Sequence, residues 1–169
     1  MRPPAASLIA AALSLLPLNA QQPASSIDPP ANARVVLQAK GEGFQIYTCS
    51  TAQAGLKWTL KAPDAKLLDA SGKVIGSHFA GPTWKLTDGG QVQGELIASQ
   101  PSPETNSVAW LLLRAKTGTA TGSLSTVALI RRTETHGGAA PTTGCQSPSD
   151  TGKTAQIPYS ATYTFYSQQ

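Results

Sequence analysis

The chain has 169 residues with 13 basic against 9 acidic side chains, a length that allows one domain with a real core. Its basic residues are scattered singly apart from Arg131-Arg132, which excludes the one-sided basic cluster of a nucleic-acid reader. The mild positive charge serves solubility and names no partner.

Met1-Arg2 is a short basic start, and an almost wholly apolar run follows over 5–18. Leu18-Asn19-Ala20 then offers small or aliphatic residues before the polar Gln21-Gln22-Pro23. This order of basic, apolar and cleavable parts predicts a secretory signal peptide over 1–20. The apolar run is shorter than the ~20 residues a spanning helix needs, so no membrane span is expected after processing. The protein is therefore expected to be exported, periplasmic or secreted. Residues 21–32 are rich in Pro, Ser and Ala and read as a flexible leader. Residues 33–169 read as a single domain.

Period-two alternation dominates from there. Strands are expected over 34–39, 44–49, 56–61, 66–69, 92–98, 108–115 and 124–132, with a last one around 159–165. Leu56, Trp58 and Leu60 fall on one face, opposite Lys57, Thr59 and Lys61. Tyr159, Ala161, Tyr163 and Phe165 repeat the pattern at the end of the chain. Trp110-Leu111-Leu112-Leu113 is apolar on both faces and is expected to cross the middle of the core. Gly41-Glu42-Gly43, Ser71-Gly72-Lys73 and Asp88-Gly89-Gly90 read as turns. The stretch 135–153 is rich in Gly, Pro, Ser and Thr and reads as a long loop pinned by Cys145. The fold class is therefore all-β and mainly antiparallel, a β-sandwich or a partly closed β-barrel. Cys49 and Cys145 are the two cysteines, and in an oxidising compartment they are expected to pair as a disulfide closing a loop of almost a hundred residues.

Gly43-Phe44-Gln45-Ile46-Tyr47-Thr48-Cys49, Lys61-Ala62-Pro63-Asp64-Ala65 and Gly76-Ser77-His78-Phe79-Ala80-Gly81-Pro82-Thr83-Trp84 come in this order. Trp110-Leu111-Leu112-Leu113-Arg114-Ala115, Gly137-Gly138-Ala139-Ala140-Pro141 and Pro158-Tyr159-Ser160-Ala161-Thr162-Tyr163-Thr164-Phe165-Tyr166 follow. In this series the chain resembles the DUF3455 family over nearly all of its mature part. The resemblance implies an exported protein and brings no established activity. Some relatives carry a malate dehydrogenase label, which these residues do not support. A dinucleotide site needs G-x-G-x-x-G between a strand and a helix. Here Gly41-Glu42-Gly43 is followed by Ile46 and by strand, so the dehydrogenase reading is rejected.

Functional candidates are few. His78 and His136 are the only histidines, and with a carboxylate they would form the site of a metal-binding protein or a hydrolase-type enzyme. Neither H-x-H nor H-E-x-x-H spacing is present, and there is no G-x-S-x-G elbow. The favoured reading is a non-enzymatic binding module with loops 76–84 and 135–145 as its rim. Trp84 would be an exposed platform for a ligand, oriented by His78, Asp88 and Glu95. The expected partner is a small molecule, a glycan or an envelope component, with no cofactor. Of Arg131 and Arg132, one is expected to face solvent and the other inward, paired with Glu95 or Glu134 if buried.

Overall fold

A computed structural model describes residues 26–168. The expected signal peptide and the first part of the leader lie outside the described residues. Eight strands follow one another: β1 (Arg34–Ala52), β2 (Gly55–Leu68), β3 (Val74–Phe79), β4 (Thr83–Leu86), β5 (Gln91–Gln100), β6 (Trp110–Ala115), β7 (Leu129–Gly137) and β8 (Thr154–Ser167). Each pairs antiparallel with the next, and β8 returns to β1, so a single sheet closes into a ring. The barrel alternative is the one adopted, and the two-sheet sandwich is not. Register shifts interrupt five of the eight pairings, which makes the ring irregular. Closure gives every strand a paired neighbour on both sides within the ring.

Directly opposed residues share a face, and the register reveals the interior. Tyr159, Gly43, Ala65, His78, Trp84 and Val92 oppose one another in turn across six strands. A second row links Leu111, Arg132, Tyr163 and Ala39, and a third links Leu113, Ile130, Phe165 and Leu37. Leu67, Trp84, Val92, Leu113, Ile130, Tyr163 and Phe165 are buried there. Tyr159, Ala161, Tyr163 and Phe165 face inward, as their alternation predicts.

Gly41-Glu42-Gly43 is not a turn. It lies in the middle of the 19-residue β1. A Cβ on Gly41 would sit 2.6 Å from the Tyr163 ring, and one on Gly43 would run into the Asp64 carbonyl oxygen. These glycines make room for large side chains and a close strand. Segments 56–61 and 66–69 merge likewise into β2, whose residues 55–64 pair only with β1. Lys61 is the extra residue at the bulge opposite Ile46/Tyr47. This hairpin arm reaches beyond the ring.

Trp58 is not core: its Nε1 donates to the Thr143 carbonyl at 2.8 Å and ties the long loop to the arm. Cys49 and Cys145 form the expected disulfide at the same place. Trp110 and Leu112 also face outward. With Ala98, Leu129 and Tyr166 they form a second apolar cluster that Ile27 covers. Arg131 points to this side and bonds Asp28 at 2.8 Å.

Candidate ligand cavity

Where the unpaired edge of β2 leaves the ring, a cavity of about 240 Å³ opens into the barrel. Leu60–Pro63 and the β3–β4 tip at Gly81-Pro82 form its rim, and Leu111 and Leu113 line it from β6. Gly81 takes φ +99°, the left-handed region that lets the tip turn tightly. The inner wall is aromatic. The His78 imidazole stacks on the Trp84 indole with centroids 4.4 Å apart and planes 9° from parallel. The Tyr163 ring meets both, at 5.0 Å and 5.5 Å.

The polar groups of this wall are distinctive. His78 Nδ1 lies 2.9 Å from the Thr83 carbonyl oxygen, so it carries the proton and donates. Burial pushes the imidazole down to about 3, helped by the Arg132 charge and opposed by the Thr83 bond. His78 is thus neutral, with Nε2 as its acceptor. Arg132 Nε and Nη2 both donate to the Ala109 carbonyl, at 3.0 Å and 2.8 Å. Burial holds the Tyr163 hydroxyl protonated, while a bond from Arg132 pulls the other way. The Tyr159 hydroxyl lies 3.2 Å from it. Gln45 is 1% exposed and lines the cavity, and neither atom of its amide has a protein partner. The Trp84 Nε1 is also unpartnered. Buried amides without partners cost about 1–3 kcal/mol, so such atoms mark places where something else can bond.

Of the sequence candidates, the structure brings His78 and Trp84 together and separates the rest. Trp84 is no exposed platform: it is 1% exposed, because β4 faces it inward opposite His78 and Val92. Its ring is a cavity wall instead. Asp88 closes the β4–β5 turn, accepting from the Gly90 amide at 2.8 Å, and that bond holds its carboxyl below the usual range. Glu95 is on the outer surface, 3.0 Å from Arg114 Nε. His136 is exposed and bonds Glu104 on β7's outer side, whereas His78 is inside the barrel. The two histidines do not share a site, and among the described residues no three His, Cys, Asp or Glu side chains gather as metal ligands.

The rim also differs from expectation. Most of 76–84 is strand, leaving only the tip at Ala80–Pro82, and β7 continues to Gly137. Beyond it Gly138 packs against Gln45 and Tyr159, and its carbonyl accepts from Tyr47 at 2.6 Å. This loop backs the cavity and does not rim it. Arg132 is the inward arginine, but its partner is a backbone carbonyl and not Glu95 or Glu134. Glu134 instead accepts from Thr162.

Gln45, Arg132 and Tyr163 were not among the candidates. Strand parity held the signal for two of them: Tyr163 lies on the apolar face of β8, and Arg132 is paired with an arginine on the opposite face.

The family model described as a protein of unknown function, DUF3455, matches residues 29–167. The chain belongs to the DUF3455 family. The match spans every strand of the ring, so this DUF3455 protein carries the barrel and its cavity within the family's own boundaries. No curated protein and no solved structure matches it. Among the described residues no helix is long and apolar enough to cross a membrane.

Proposed function

We propose that this DUF3455 protein is an exported binding protein that holds one small, largely apolar molecule inside its barrel. The observation that carries this reading is Gln45, a buried amide with both atoms unpartnered on the wall of a cavity of about 240 Å³. Eight-stranded barrels have an interior just wide enough to be filled by side chains or to hold one small ligand. Here the His78–Trp84 stack and Tyr163 form the inner wall of the space, and Leu60, Leu111 and Leu113 add apolar lining. A cavity of about 150 Å³ accepts benzene, so a one-ring molecule is the size that fits. No carboxylate and no Ser or Thr hydroxyl lines the space beside His78, which favours binding over hydrolysis. Export is supported by the basic, apolar and cleavable order of 1–20 and by a disulfide spanning 96 residues.

Trp58 and Trp110 lie outside the cavity and Trp84 inside it, so indole fluorescence separates the cases. Phenylacetate or phenylacetamide is expected to change the emission saturably, and Trp84→Phe to remove the change. No saturable change with either compound overturns the proposal.

A further inference from the structure

We infer that the molecule taken by this cavity is an organic anion whose carboxylate sits on Arg132 with the help of Gln45. The inference rests on the binding reading above and adds the charge of the ligand.

The charge inventory of the cavity supports it. No Asp or Glu lines the space, His78 is held neutral by its burial, and Lys61 stands at the exposed rim. Arg132 is therefore the one fixed charge of the inner wall. The ion pairs among the described residues use Lys40, Arg114, Arg131, Lys153 and His136, and none includes Arg132. A half-buried guanidinium without a counter-charge is costly, and an anion relieves that cost more than any neutral group.

The donor geometry agrees. A guanidinium has five N–H groups, and the Ala109 carbonyl takes one from Nε and one from Nη2. Even with one more turned to the Tyr163 hydroxyl, two remain for a carboxylate. Gln45 offers the further donor, Nε2, that would fix the ligand's orientation. Trp84, Leu111, Leu113 and Leu60 give the same cavity an apolar lining for a ring or short chain. Lys61 at the rim adds a field that draws anions inward.

Calorimetric titration of the full mature protein with phenylacetate, phenylacetamide and phenethylamine tests this. The three share one shape and carry a negative, a neutral and a positive group. Phenylacetate is expected to bind about tenfold or more tighter than phenylacetamide, the gain of a charge-assisted bond, and phenethylamine weakest. Arg132→Gln is expected to bring the phenylacetate-to-phenylacetamide ratio to within about twofold, and Arg132→Lys to keep part of it. If Arg132→Gln does not fold, the ratio in the unaltered protein still decides. Equal or tighter binding of the amide or the amine overturns the anion inference and leaves the binding function standing. Binding of none of the three overturns both.

Discussion

His78 is the residue whose environment differs most from its sequence appearance. Between Gly76-Ser77 and Gly81-Pro82 it reads as a loop histidine, yet it lies on β3, stacked on Trp84 and 2% exposed. Its folded value of about 3 stands below the ordinary 6.5, because burial disfavours the imidazolium. Between those two values the unfolded chain binds more protons than the folded one. Stability is therefore fully present above about pH 6.5 and falls as pH drops towards 3, by up to about 1.4 kcal/mol per unit. Asp69, Asp88, Glu104 and Asp150 have lowered carboxyl values. Their loss belongs mainly below about pH 4.5. Urea melts between pH 7 and 4.5 are expected to show the decline in the unaltered protein and a flatter profile in His78→Phe. At Gly41 the expected cost is steric: an alanine methyl would press on the Tyr163 ring, and overpacking of this kind costs about 1–3 kcal/mol. The denaturation midpoint of Gly41→Ala should fall accordingly.

Strand elements were legible where alternation was unbroken. The run from Tyr159 to Phe165 is such a case, since each inward residue is apolar or aromatic and each outward one is Ser or Thr. Alternation failed where glycines or bulges carry the strand. The Gly41-Glu42-Gly43 string looked like a turn because its glycines serve close packing against Tyr163 and Ala65, a tertiary need invisible locally. Residues 76–84 read as loop because Gly76, Gly81 and Pro82 resemble turn formers, although only Ala80–Pro82 is the tip between β3 and β4. The double-faced Trp110–Leu113 run had its second face covered by Ile27, from a segment read as leader. The long loop is legible together with its Cys145 anchor, which ties it to β1, and the structure adds the Trp58 bond at Thr143. Replacing both cysteines by serine is expected to cost about 2–5 kcal/mol. Hydrogen exchange should rise first over 138–153 and at the arm of β1 and β2, with the ring less affected.

At the scale of the whole molecule, ring closure decides what the site is. Local sequence placed His78 and Trp84 together, and the hairpin register keeps them so. Gln45 from β1, Arg132 from β7 and Tyr163 from β8 join them only because β8 pairs back to β1. That pairing is the longest-range contact of the sheet and has no signature in any single segment. The same closure sends Asp88, Glu95 and His136 to turns and the outer surface, where they pair locally. The direct test of a ligand-holding barrel is a ¹H–¹⁵N correlation spectrum of the mature protein titrated with phenylacetate. The Gln45 side-chain amide, the Trp84 indole N–H and the Arg132 Nε–H are expected to shift together along one saturation curve. Shifts confined to the outer surface, or none at saturating phenylacetate, would contradict a binding role for the cavity.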